Sequence, residues 1–386
     1  MKGHIRQRSK GSWTIWVDLG RDPETGKRKQ QTMTVRGSKK DAERELRAVL
    51  TRIEGGAYVK PAKQTVGEYL NQWLQDYAKQ SLSPRGFERY QGIIHRHLTP
   101  AFGKIQLTQL KPENLQKHYA EVLNRGLNPK TVRYHHAVIH VALQTAVKWG
   151  LVSRNIADAV EPPSRRFEQS QMQIWNEAEL NCFLDTAKDS YYYALFYTAL
   201  FTGMRRSELL ALCWQDIDFI YGQIYVSRSL HHLKDGSYIF TQPKSKKSCR
   251  TIALPPSAFL VLSEHRKSKE AEALLLGKIL ADSDLVFSTL EGQPLRPNTV
   301  TRAWMNLSAK AGVKVIRLHD ARHTHASLML KQGIHPKIVQ ERLGHSSITM
   351  TLDIYSHITP GLQEAAARRF DDMVKKPDKE AVESIG

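Results

Sequence analysis

Leu318-His-Asp-Ala-Arg-His-Thr-His325 is the stretch on which the reading of this chain turns. On a helix, His319 and Arg322 lie three residues apart on one face and can address the same anion. Two other stretches complete the set. Upstream, Thr202-Gly-Met-Arg-Arg-Ser-Glu-Leu209 supplies Arg205; downstream, Leu343-Gly-His-Ser-Ser-Ile-Thr-Met-Thr-Leu-Asp-Ile-Tyr355 supplies His345 and Tyr355. Two arginines, two histidines and a tyrosine suit attack on a phosphodiester without a metal ion. The guanidinium pair can neutralise a pentacovalent phosphate, the imidazoles can donate to its oxygens, and a phenol can be the nucleophile.

Thr202-Gly203 breaks the chain just before Arg205, so that guanidinium is expected near a helix N-terminus, a natural phosphate seat. Glu208, one turn on, is expected to hold the arginine's orientation through a buried pair. Taken alone, Arg205 and Glu208 read as an ordinary helix-surface ion pair; the downstream motif changes that reading. Arg206 competes with Arg205 and is read as a DNA-backbone contact. His323 and His325 invite a zinc reading, but the chain has no His-Glu-x-x-His and Arg322 would repel a dication, so neither metal nor cofactor is expected. Tyr191–Tyr193 have no comparable partners, and His357 has no assigned role.

The charge agrees with a polyanionic partner. Lys and Arg number 57 against 38 Asp and Glu, a net +19 with a pI near 9.7, and nucleic acid is the commonest partner for such a balance. Residues 1–60 carry +8, residues 61–161 carry +6 and the remainder +5, so the chemistry-bearing part is the least basic per residue. Three cysteines without close pairing suggest neither disulfides nor a Cys-based zinc site. The apolar run Tyr191–Phe201 is too short to span a bilayer and no signal sequence opens the chain, so a cytoplasmic, nucleoid-associated protein without membrane contact is expected.

Patterning divides the chain into a mainly helical α+β arrangement. Residues 1–56 read as a small three-stranded sheet plus a helix: Ser12–Asp18 alternates Trp13, Ile15 and Val17 against Thr14, Trp16 and Asp18, and Arg28–Val35 returns as a basic strand. Ser38 caps a helix with Asp41 in the capping-box position and Ala42, Leu46, Val49, Leu50 and Ile53 on one face. A sheet studded with Arg28, Lys29 and their neighbours can lay its strands in a major groove. After a linker at 57–64, residues 65–160 read as four amphipathic helices in a bundle. Lys79, Arg85, Arg89, Lys130 and Arg133 are expected to be exposed there for phosphate contacts, and six scattered histidines are read as solvated or core residues. Glu161–Arg166 is a second boundary. Residues 170–386 read as mixed α/β, with a helix capped near Asn176, the apolar helix, short strands at 223–227, 238–241 and 250–254, and mostly helix beyond.

In order and spacing, Arg205, His319, Arg322, His345 and Tyr355 resemble the signature of the tyrosine recombinases, the lambda-integrase-like family, and the likeness extends over essentially the whole chain. The resemblance implies an arm-type DNA-binding domain at 1–56, a core-binding domain at 65–160 and a catalytic domain with a C-terminal tail at 170–386. It makes Tyr355 the nucleophile of a covalent 3′-phosphotyrosyl intermediate, with Arg205, Arg322, His319 and His345 cradling the phosphate, His319 the expected base and Glu208 a supporting carboxylate. Thr241–Pro255 resembles the family's β-hairpin, which places Lys244 at the general acid's position; Ser245 stands where Thr is frequent. The family further implies attachment sites in double-stranded DNA (core and arm), a homotetramer on a Holliday junction, and accessory host bending and directionality factors. The N-terminal module points to the integrase of a phage or conjugative element. A type IB topoisomerase and a non-catalytic repressor are the alternatives, distinguished by relaxation of DNA lacking any site and by absence of a covalent adduct.

Overall fold

The computed structural model describes residues 3–21, 28–54, 64–164, 173–242 and 249–356, with five further positions between 367 and 374. The chain divides into two compact units, Met1–Phe167 and Glu168–Gly386.

The first unit opens with an antiparallel sheet, β1 (Gly3–Ser9), β2 (Ser12–Arg21) and β3 (Arg28–Arg36), followed by α1 (Lys39–Glu54). The register stacks Ile5, Ile15 and Met33 across the three strands. Ile15, Val17 and Val49 form one small core, against which the partly buried Ile5, Met33, Leu46 and Leu50 pack. Ser38 and Asp41 exchange bonds at the start of α1 (Ser38 N–H to Asp41 Oδ2 2.9 Å, Asp41 N–H to Ser38 Oγ 3.3 Å). The opposite face is left open and carries exposed His4, Arg6, Thr32 and Thr34. There His4 stacks on Trp16 with ring centroids 4.9 Å apart. Arg28 and Lys29 begin β3, but their side chains lie outside the described residues.

The bundle comprises α2 (Val66–Trp73), α3 (Pro84–Ile93), α4 (Pro112–Asn124) and α5 (Pro129–Lys148). Thr65 and Glu68 form the expected capping box. Helices α2 and α3 run on through π-helical turns, Leu74–Ala78 and Ile94–Leu98. Leu74, Ala78, Ile94 and Leu98 of these turns are buried in the core of the bundle. Lys79, Arg85, Arg89 and Lys130 are exposed as expected, with Arg89 lying 3.4 Å over the Tyr134 ring. Arg133 departs from expectation: it is half-buried, and its Nη1 donates to the Pro163 carbonyl at 2.7 Å, closing the end of the unit. His118 and His135 are buried with ring nitrogens 3.4 Å apart.

The second unit is organised around α6 (Glu177–Ala187), the fully apolar α7 (Tyr193–Thr202), the short α8 (Arg206–Leu209), and the later helices α9 (Pro256–Leu275), α10 (Pro297–Lys310), α11 (Asp320–Lys331), α12 (Pro336–Leu343) and α13 (Ile348–Ser356). Trp175, Phe183, Phe196 and Trp304 are its aromatic centre, Trp175 and Trp304 stacking at 4.9 Å. Strands β4 (Ile217–Asp218), β5 (Gln223–Val226) and β8 (Arg250–Ala253) form one sheet, while β6 (Ser229–His232) and β7 (Tyr238–Thr241) pair separately. β4 and β6 were not expected from the sequence; two residues of β4 are too few to show a period, and Ser-Leu-His-His has no alternation that marks a strand. Among the described residues no helix is long and apolar enough to cross a membrane.

Candidate active site

The site is built where two helices end in left-handed glycines. Gly203 (φ 64°) closes α7 and Gly344 (φ 67°) closes α12. Each turn leaves helix-terminal carbonyls without intrahelical donors, and guanidinium groups take them. Arg322, only 2% exposed, donates Nη1 to Gly203 O at 2.8 Å and Nη2 to Leu343 O at 2.7 Å. Arg205 donates Nη2 to Gly344 O at 3.1 Å. Both arginines are thereby fixed by backbone that leads directly to other members of the set.

The turn at Gly203 makes Arg205 the N-cap of α8, and Glu208 serves as both cap and counter-ion. Its Oε2 accepts from the Arg205 N–H at 2.9 Å, and its Oε1 from Arg205 Nη1 at 2.6 Å. Burial alone would raise the Glu208 pKa; the hydrogen bonds and charge of Arg250, and then the charge of Arg205, outweigh it and hold the carboxyl below its ordinary value. The pair predicted from sequence is present, but it is a triad.

His319 stands exposed at the residue before α11, and His345, 8% exposed, follows the Gly344 turn. Partial desolvation, followed by the Arg322 charge, lowers the pKa of His319. The same two causes, joined by Arg205, His323 and Arg250, bring His345 to about 4. Burial followed by Arg205 lowers Arg322 to about 9, which leaves it charged at neutral pH. Arginines crowded against one another, with neutral imidazoles beside them, are electrostatically short of an anion. A phosphate is the group that such a set would hold.

His345 Nδ1 lies 2.9 Å from Thr351 Oγ1, and Thr351 is fully buried. This contact ties the histidine to α13, which carries Tyr355 one turn further on. The Tyr355 side chain and the whole of Lys244 lie outside the described residues. Thus Arg205, Glu208, His319, Arg322 and His345 come together; the helix of Tyr355 is joined to them. Among the described residues no group of three or more His, Cys, Asp or Glu side chains is disposed to hold a metal.

Sequence reasoning missed Arg250, Arg342, His325 and Thr351. Arg250 was legible in part: β8 alternates Arg250 and Ile252 inward, so period two points an arginine into the interior, where a carboxylate or free carbonyls must receive it. Arg342 and His325 form contacts with segments distant in sequence, and Thr351 meets His345 across the turn between two helices, so none left a periodic signal.

Two family models match the chain: the phage integrase family over residues 172–361, and the phage integrase N-terminal SAM-like domain over residues 65–123. A "Tyrosine recombinase XerC-like" protein of Caldanaerobacter subterraneus subsp. tengcongensis is 26% identical, covering 96% of this chain and 99% of that protein. The ICEBs1 integrase of Bacillus subtilis is 28% identical, covering 96% and 100%. Among solved structures, the Tn1549 transposon integrase in complex with a circular intermediate DNA superposes with a TM-score of 0.65 at 21% identity, covering 80% of this chain and 99% of that one. A lambda integrase tetramer bound to a Holliday junction gives 0.56 at 18%, covering 89% and 96%. With the arginine–histidine cluster and the tyrosine-bearing helix in place, the chain belongs to the phage integrase family of tyrosine recombinases, enzymes that break and rejoin DNA strands.

Proposed function

We propose that the protein is the integrase of a phage or conjugative element. In this reading the Tyr355 phenol attacks a DNA phosphorus, the 5′ oxygen leaves, and a 3′-phosphotyrosyl bond forms; a 5′ hydroxyl from the partner strand then reverses the step. One phosphodiester is exchanged for another of similar energy, so no nucleotide or metal is consumed. Arg205, Arg322 and His345 would bind the non-bridging oxygens, with charge that develops in the transition state met by fixed donors. His319 would receive the phenolic proton; phenol ionises at about pH 10, and cations beside it would favour its anion. Lys244 would protonate the leaving oxygen. Glu208 would orient Arg205.

The same reading gives residues 1–56 the arm sites, through the open sheet face of His4, Arg6, Thr32 and Thr34 with Arg28 and Lys29. Residues 65–160 would grip core DNA through Lys79, Arg85, Arg89 and Lys130, while Arg133 acts within its own unit. Residues 170–386 would carry out the chemistry. Four protomers would act on two duplexes through a Holliday junction, in the compartment that holds the DNA, with host bending and directionality factors setting the outcome.

The observation that carries the reading is the seating of Arg205 and Arg322 on the Gly344 and Leu343 carbonyls, directly before His345. The test uses a library of nicked duplexes randomised at the centre, from which detergent-stable protein–DNA adducts are captured. The unmodified protein is expected to yield adducts, and Tyr355→Phe none. Adducts that persist in Tyr355→Phe would overturn the assignment of the nucleophile.

A further inference from the structure

Two residues outside the proposed phosphate ligands hold the turn on which those ligands depend. The last carbonyls of α7 are taken one by one: His325 Nδ1 lies 2.9 Å from Leu200 O, Arg342 Nη2 donates to Phe201 O at 2.9 Å, and Arg322 Nη1 donates to Gly203 O at 2.8 Å. Arg342 also donates Nη1 to Ala253 O of β8 at 2.9 Å and Nε to His325 Nε2 at 3.1 Å. A ring nitrogen that accepts a bond from a guanidinium cannot itself carry a proton. His325 is therefore neutral with its proton on Nδ1, where it donates to Leu200 O. The ring also packs beside Gly203, where an added Cβ would lie 2.8 Å from His325 Cδ2. In return, the Arg342 carbonyl accepts from Arg250 Nε at 2.8 Å, so β8 and the end of α12 are tied in both directions.

We propose that Arg342 and His325 are a positioning pair for the phosphate-binding arginines: they fix the end of α7, to which Arg322 is anchored and from which Arg205 departs. The proposal deepens the recombinase reading and rests on it for the role of the two arginines. The charged groups acting on the His325 ring are Arg342 from α12 and Arg322 from its own helix; α7 contributes only the Leu200 carbonyl. Removing the Arg342 side chain exposes Nε2 to protonation, and an imidazolium there would repel Arg322. Loss of the pair should therefore slow the chemistry and add a loss of rate in acid beyond any that the unmodified protein shows.

The test measures single-turnover cleavage of the duplexes recovered by adduct capture, with duplex affinity determined separately. Arg342→Met is expected to cleave about 100-fold more slowly, as for a small misplacement of the reacting groups. Its duplex Kd should stay within about threefold, because the loss is confined to the transition state. Burial, the largest cause holding the His325 ring neutral, remains in the variant, so the additional loss of rate is expected below the ordinary histidine value of about 6.5 and should grow as pH is lowered further. In Arg342→Met/His325→Gln that additional loss should vanish while the slow rate remains. Cleavage by Arg342→Met within about threefold of the unmodified protein, or an acid loss larger than that of the unmodified protein that survives in the double variant, would overturn the proposal. Should Arg342→Met fail to fold, two-bond 15N–1H spectra of the histidine-labelled unmodified protein decide: the Nδ1–H tautomer of His325 at about pH 6 is expected, and an Nε2–H ring or an imidazolium sinks the pair. Failure of the unmodified protein to form any adduct would instead count against the recombinase reading, and the spectrum would still test the pair.

Discussion

Arg250 grips both oxygens of Glu208, Nη1 to Oε1 at 3.2 Å and Nη2 to Oε2 at 2.8 Å, with each side chain 6% exposed. The fork explains how a carboxylate can sit under the proposed phosphate site without protonating. It also explains why Arg205, whose side chain is 36% exposed, keeps a defined geometry. Its counter-ion cannot move.

Breaking this pair from one side should therefore cost more than removing both partners. Arg250→Leu leaves a buried carboxylate with a single, partly exposed partner and is expected to lose about 3–5 kcal/mol in urea unfolding. Arg250→Leu/Glu208→Leu should recover part of that loss. The sign with pH follows from the lowered Glu208 value. Its contribution is complete above the ordinary carboxylate range and is lost as pH falls through the folded value. In Arg250→Leu that loss should begin at higher pH. A single variant costing less than about 1 kcal/mol would show that the fork is incidental.

Gly203 makes a second, sharper prediction. Its φ of +64° suits glycine, and an added Cβ would also meet Leu343 Cδ2 at 2.6 Å. Gly203→Ala should lose about 1–2 kcal/mol to the left-handed backbone and about 1–3 kcal/mol more to overpacking. Gly312 has φ +66° but nothing within 4 Å of the same position, so Gly312→Ala should show the backbone cost alone. Denaturant midpoints for the two variants that agree would refute the packing argument.

Much of this was written in local pattern. The alternation of Ile15 and Val17, the Thr65–Glu68 box and the spacing of His319 from Arg322 each follow from one element's period, and each is present in the structure. What the sequence hid is of two kinds. The π-helical turns at Leu74–Ala78 and Ile94–Leu98 violate the period by which helices are recognised. The supporting contacts, Arg342 to Phe201 O and His345 to Thr351, depend on how elements meet, and a solvent-facing arginine reads the same as one that closes a helix end. Arg133 shows the converse, a basic residue assigned to solvent that caps its own unit.

His345 links the protonation of the site to DNA. Burial, then Arg322 and Arg205, brings its pKa to about 4, below the ordinary histidine value of about 6.5. Because the folded value is depressed, the stability it contributes is complete above about pH 6.5 and is lost progressively toward pH 4. A DNA phosphate placed against Arg205 and Arg322 reverses the local field and should raise the His345 value. Binding should then take up protons between about pH 5 and 6.5, and tighten as pH falls, over a range where the unbound protein is losing stability. Calorimetry of Tyr355→Phe with a captured duplex, in two buffers of different ionisation enthalpy, measures that uptake directly. Substituting His345→Asn should remove part of it. Proton release, or an uptake unchanged in His345→Asn, would place His345 outside the field of the bound phosphate and remove it from the proposed set of ligands.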